Sequence, residues 1–278
     1  VKQPLAFEQL FVYQNKIKMF LKHLGLNEVL NYSMISREMI ENLNLSVNDH
    51  LYLSNVLSEE IKYLRTTLRP SLIKNIKTNE GKRDKLKLFE LAKIYVPTKN
   101  NLPVEKYKLG MVTTTSFFDL KGIVEALLRE LNIETYLFSK SEDGVLHPGI
   151  QTDLIINKRK TGNLGQLKTT YQNKYEVKPS VFIAEIDFET LIHNAKPIST
   201  YVHVHPFAVI KLDLTIKIDK NNYFEKIKTK AFATSKLLNK IEVVSHYRDN
   251  ITLRFYFSSP NENITEDMAK KELIAACA

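Results

Sequence analysis

The chain has 278 residues, 44% hydrophobic and 26% charged, and its 40 Lys and Arg exceed its 31 Asp and Glu by +9; this ordinary globular composition suits one large domain or two smaller ones. One Cys, Cys277, excludes intramolecular disulfides and Cys-rich zinc sites, and the absence of any run of about 18 apolar residues excludes a membrane-spanning helix. With 8 Gly, the closest pair being Gly162 and Gly165, the chain has no GxxxxGK[ST] or GxGxxG loop to cradle a nucleotide.

The start VKQPLAFEQL has neither the basic segment nor the apolar stretch of a signal peptide, which predicts a reducing, cytoplasmic setting. Val at position 1 predicts a fragment or a processed product. Residues 7–24 carry apolar side chains at three- and four-residue spacings, an amphipathic helix ended by Gly25. A strand is expected around 28–34, then a short helix capped by Ser36, and a strand over 50–53. Pro70 and Ser71 suit the first turn of a helix through Ile76, with Gly81 after it. Strands are expected over 85–96 and 107–115. A helix follows whose stripe is Ile123, Val124, Leu127, Leu128 and Leu131. HPG at 147–149 reads as a turn, 153–156 and 163–167 as strands around a basic hairpin NKRKTG, and 181–188 as a strand entering a short helix.

After Lys196-Pro197 the pattern changes. Residues 208–218 alternate strictly, with Ile210, Leu212, Leu214, Ile216 and Ile218 on one face and Lys211, Asp213, Thr215 and Lys217 on the other. A helix over about 222–238, strands at 241–247 and 251–257 and a helix capped by Thr265 complete a β-α-β-β-α order. That is the beginning of a ferredoxin-like unit, which ordinarily closes with a fourth strand; here that strand is expected to be lacking. The expected domains are 1–199 and 200–278.

The charge is uneven: −2 over 1–61, +9 over 62–108, −1 over 109–200 and +3 over 201–278. Such a concentration favours a polyanionic partner through counterion release; a solvated Lys-rich surface is the competing reading.

GLNEVLNYSMIS, the block LSNVLSEEIKYLRTTLRPSLIKNIKTNEGKRDKLKLFELAKIYV, the helix FFDLKGIVEALLRELNI, HPG followed by TGNLGQL, and the tail from His205-Pro206 to Thr265-Glu266 follow one another in this order. Together they resemble, over nearly the whole chain, the C-terminal part of the β subunit of phenylalanine–tRNA ligase. The resemblance implies an α+β fold: a class II aminoacyl-tRNA synthetase-like antiparallel sheet with helices, then a ferredoxin-like βαββα(β) anticodon-binding domain. It implies a non-catalytic scaffold for a catalytic α subunit in an α2β2 heterotetramer, and binding of tRNA(Phe). ATP and Mg2+ would act through other parts, with no cofactor on this chain. In keeping with that, none of the eight Arg is followed two residues later by Glu, as adenylation in this class requires, and no Gly-rich segment precedes Arg. The family's oligonucleotide-fold, editing and magnesium-bearing modules would lie upstream of Val1, so editing and that metal site are not expected of these residues. Its P-x-x-x-R-D becomes Pro206 followed by Lys211 and Asp213, which loses the bidentate fork, and its N-P-L-S becomes Asn55-Val56-Leu57-Ser58.

A ferredoxin-like sheet leaves one face open, as in modules whose exposed aromatics stack bases. The alternation puts Arg254 and Tyr256 on that face as a stacking pair, with Lys211 and Lys217 for phosphates; a solvated polar face is the alternative. Lys82, Arg83 and Lys85 form a basic patch for tRNA or an acidic partner surface. His203 and His205 share one side of an extended segment but lack a third ligand at suitable spacing, so no metal site is expected. His147 reads as a turn residue. The first helix and the 123–131 stripe are either core or interface. The competing function is a free-standing RNA-binding paralogue outside the ligase; an independent class II enzyme is disfavoured by the missing Arg-x-Glu.

Overall fold

The computed structural model describes residues 5–56, 58–99, 102–199, 201, 206–218 and 224–277, with the side chains of 5–8 and 277 outside the description. The chain divides into two compact units, Val1–Ser199 and Thr200–Ala278.

In the first unit, α1 (Leu5–His23) ends at Gly25, whose φ of +84° suits a residue without Cβ. The elements β1 (Asn27–Glu28), β2 (Met34–Ile35), α2 (Arg37–Asn42), β3 (Tyr63–Leu64) and α3 (Arg69–Asn79) follow. Next come β4 (Lys87–Val96), β5 (Val104–Thr113), α4 (Phe117–Glu130), β6 (Tyr136–Lys140) and β7 (Leu146–Ile156). The unit closes with β8 (Arg159–Leu167), α5 (Thr169–Lys174), β9 (Phe182–Asp187) and α6 (Phe188–Asn194). One seven-stranded sheet has the order β1-β4-β5-β9-β8-β7-β6, antiparallel except where β1 joins β4.

Alternation along the strands gives the sheet two covered faces. On one, Phe89, Leu109, Met111, Leu164, Ala184 and Ile186 meet Ile17 and Leu21 of α1 and Leu120, Val124 and Leu127 of α4. On the other, Leu88, Val112 and Ile183 meet Leu68 and, on α3, Leu72 and Ile76. Each such side chain stabilises the fold by about 1.5–3 kcal/mol relative to exposure. Ser36 and Ser116 cap α2 and α4 by accepting from Met39 and Asp119 N–H. The β7–β8 turn uses Asn157 and Lys158, both at positive φ, the geometry of a type I′ hairpin.

Several expectations change. The strand expected over 28–34 is two short pieces, because the chain leaves the sheet after β1 to pair β2 with β3. Residues 50–53 contribute one isolated bridge, Tyr52 to Tyr63, rather than a strand. The HPG segment is not a turn: it lies within β7, where the pairing with β8 is irregular between Leu146 and Gln151. Strand β6 and helix α5 were not anticipated.

The second unit contains β10 (Ile210–Lys217), α7 (Phe224–Thr234), β11 (Leu238–Tyr247), β12 (Asn250–Phe257) and α8 (Glu266–Cys277). Its sheet order, among the described residues, is β10-β12-β11, all antiparallel. Ile251, Leu253, Phe255 and Phe257 of the central strand pack with Ile227 and Ala231 of α7 and Ala269 of α8. The matching row on β10, Ile210 to Ile216, is half-buried because that strand lies at the sheet edge. Helix α7 stops at Thr234, four residues short of the sequence reading, because Leu238 already belongs to β11.

Candidate nucleic-acid interface

The uncovered face of the second sheet is built from three cross-strand rows. Lys211, Tyr256 and Lys240 form the first, Asp213, Arg254 and Glu242 the second, and Thr215, Thr252 and Ser245 the third. Arg254 donates from Nε and a terminal nitrogen to the two Asp213 oxygens, both at 2.7 Å. The Tyr256 hydroxyl donates to Glu242, which also pairs with Lys240. The ammonium groups of Lys211 and Lys240 lie 5.6 and 5.4 Å from the Tyr256 ring centroid, within cation–π range.

The electrostatics keep this face ionised. The Arg254 hydrogen bond holds the Asp213 carboxyl below its usual range. Lys240 and then Tyr256 do the same for Glu242, while Glu242 pushes the Tyr256 phenol up. Arg254, Tyr256 and Lys211 thus come together. Lys217 faces the same way but lies six residues along β10 from Lys211, about 20 Å away.

Sequence reasoning missed Lys240 and Glu242. Strand β11 has register shifts between Leu238 and Lys240 and between Val243 and Ser245, so its alternation does not read straight through.

The basic stretch is less free than its charge suggests. Of the thirteen cations in 62–108, seven (Lys62, Arg65, Arg69, Lys77, Lys87, Lys93 and Lys108) form ion pairs among the described residues. Lys82, Arg83 and Lys85 are exposed in the loop after α3. Lys82 donates to Asn79 Oδ1 at 3.4 Å. That loop is tied to the chain before β9 by Lys178 N–H donating to Glu80 Oε1 and Lys77 Nζ donating to the Glu176 carbonyl.

The Leu64–Arg69 stretch docks on three strands of the sheet, β4, β9 and β8. Arg65 and Glu90 form an ion pair at 2.9 Å with both side chains at most 2% exposed. Arg65 Nε also donates to the Lys93 carbonyl, and Glu90 accepts from Asn31 N–H and its amide. Thr67 and the Leu68 N–H both donate to Glu185 Oε1 at 2.7 Å. Arg69 donates to both Asp143 oxygens and to Asn163 Oδ1. Burial works against the Arg69 charge, but Glu185 and Asp143 keep it protonated. Burial would raise Asp143, yet Arg69, the Val145 N–H and Asn163 hold it below the usual range.

The histidines at 203 and 205 lie outside the described residues. His147 is exposed within β7, its Nδ1 accepting from Gly149 N–H. The 123–131 stripe is core, whereas α1 buries Ile17 and Leu21 and exposes Phe11, Val12 and Met19. No helix of the described residues is long and apolar enough to cross a membrane.

The first unit has the fold of a class II aminoacyl-tRNA synthetase. Pyrrolysyl-tRNA synthetase from Desulfitobacterium hafniense is similar over 66% of this chain and 68% of that one, with a TM-score of 0.56 and 16% identity, a likeness of fold alone. Residues 5–188 match the family described as phenylalanyl tRNA synthetase beta chain CLM domain, and the chain belongs to that family. Among curated relatives, the phenylalanine–tRNA ligase β subunit of Carboxydothermus hydrogenoformans is 28% identical, covering 94% of this chain and 36% of its own length. That of Fusobacterium nucleatum is 30% identical, covering 83% and 31%. The chain thus spans about a third of the length of these relatives.

Proposed function

We propose that the chain is the part of a phenylalanine–tRNA ligase β subunit that holds the catalytic α subunit and contacts tRNA(Phe), with no adenylation site of its own. The observation that carries this reading is the fate of the two Arg on the α3 side of the synthetase-like sheet. Arg65 and Arg69 end in carboxylates of the chain itself, and the β4–β5 hairpin carries no Arg-x-Glu. Neither guanidinium belongs to an Arg-x-Glu of the kind that holds ATP for adenylation. ATP and Mg2+ belong to the α subunit, in an α2β2 assembly located in the cytoplasm, and no cofactor is bound by this chain. The exposed apolar residues of α1 supply the α-facing surface.

The open face of the second unit takes the anticodon region: Tyr256 stacks a base once Glu242 releases its hydroxyl, Arg254 exchanges Asp213 for a ligand, and Lys211 and Lys217 meet phosphates. The Lys82, Arg83 and Lys85 loop adds a second cationic contact. Co-purification with the α subunit, followed by phenylalanine-dependent ATP–pyrophosphate exchange, tests the reading. Exchange is expected only with α present. Exchange by the chain alone, or no retention of α, overturns it.

A further inference from the structure

A cleft of about 230 Å³ opens on the α3 side of the first sheet, lined by Arg69, Lys108, Arg159, Lys160, Glu185 and Asp187 around Gly162 and Asn163. It is smaller than the ~300–1,000 Å³ of pockets for drug-sized ligands, and suits a phosphate group and an attached sugar better than a whole cofactor. The family match and the proposed anticodon face assign nothing here.

The hydrogen-bonding inventory of the cleft is lopsided toward donors. Its carboxylates are largely satisfied. Asp187 accepts from Thr190 and Lys108, and Glu185 Oε1 from Thr67 and Leu68. Behind the lining, Asp143 accepts from Arg69, Asn163 and Val145, and Asp153 pairs with Lys160 at 2.7 Å.

The cations keep donors in reserve. Arg69 is 9% exposed, and its buried Nε–H has no acceptor. Lys108 and Lys160 each meet one carboxylate and retain further N–H groups. Arg159 is exposed and its guanidinium makes no hydrogen bond or ion pair among the described residues. The four cations approach from three elements: Arg69 from the start of α3, Lys108 from β5, and Arg159 and Lys160 from β8. Gly162 lets β8 lie close against β9 beside the cleft, since a Cβ there would sit 2.5 Å from the Glu185 carbonyl oxygen.

We infer that this cleft binds the oxyanion of a phosphate ester. A tetrahedral dianion offers several acceptors to donors converging from different directions, and Arg supplies the forked contact that phosphate favours. The phosphate comes either from a free nucleotide or from an RNA backbone.

The test uses the full chain at constant ionic strength, with inorganic phosphate, adenosine 5′-monophosphate and a short single-stranded RNA as probes, and chloride as control. Phosphate and the nucleotide are expected to raise the melting temperature above the chloride control. Arg159→Gln, at an exposed side chain with no partner to lose, is expected to weaken both at least tenfold while leaving the unliganded melting temperature unchanged. RNA binding weakened by Arg159→Gln and displaced by phosphate identifies a backbone source; RNA binding indifferent to both identifies a free nucleotide. A wild-type response equal to chloride, or an Arg159→Gln response equal to wild type, overturns the inference.

Discussion

Each unit holds an Arg–carboxylate pair across its sheet, and the two pairs do different things. Arg65 and Glu90 are at most 2% exposed, and their remaining polar atoms are taken up by Asn31, Lys93 and Tyr32. Arg254 and Asp213 share the same chemistry at 38% and 42% exposure. In the first unit the pair is a joint: a buried charge has nowhere else to go, so it pins the Leu64–Arg69 stretch to β4. In the second, water competes for both ions, so the pair exchanges partners at low cost. The same contact is thus structural where it is dry and available for binding where it is wet.

The largest test of this contrast is Arg65→Met, which strands Glu90 in the interior. It should cost about 3–5 kcal/mol in urea unfolding, as removal of one partner of a buried pair does. The double change Arg65→Met with Glu90→Leu should recover most of that. If the single change costs less than 1 kcal/mol in the same measurement, by the ~0–1 kcal/mol typical of surface pairs, the joint is no different from a surface pair.

Next comes Gly162→Ala, whose Cβ would meet backbone atoms of Glu185 and Ile186 at 2.5 and 2.9 Å. The expected loss is about 1–3 kcal/mol by thermal or urea unfolding, confined to the first unit.

A pH series sharpens the comparison further. Asp143 has its folded pKa depressed below the ordinary 3.8, so its contribution is complete above that value and is lost as pH falls through the folded one. Asp143→Asn should therefore lower stability at neutral pH and flatten the acid limb of the unfolding curve.

The smallest structural effect belongs to the exposed pair. Arg254→Ala and Tyr256→Ala should leave the melting temperature unchanged, yet each should weaken tRNA binding about tenfold if the face stacks bases. Lys211→Gln should lower the slope of log K against log salt by about one. Unchanged binding in all three variants returns the face to solvent.

The legible parts of the sequence were those in which local pattern and tertiary role coincide. The α4 stripe, the β10 alternation and the cap at Ser36 are local patterns that packing simply completes. Arg254 and Tyr256 were found because β12 alternates without a break, whereas Lys240 was hidden by the bulges of β11. The +9 of residues 62–108 was readable as a number, but which cations remain unpaired was not. Arg69 meets Asp143 and Arg65 meets Glu90 at sequence separations of 74 and 25, and no window of sequence contains both members.

The sequence by itself determined most of the element types, the family resemblance and the sidedness of the second sheet, because these follow from local propensity and period. Only the tertiary structure decided which charges are buried joints and which stay exposed, and it alone assembled the Arg69, Lys108, Arg159 and Lys160 cleft. A charge's role depends on its burial and its partners, and strand order, which brings together residues far apart in sequence, sets both.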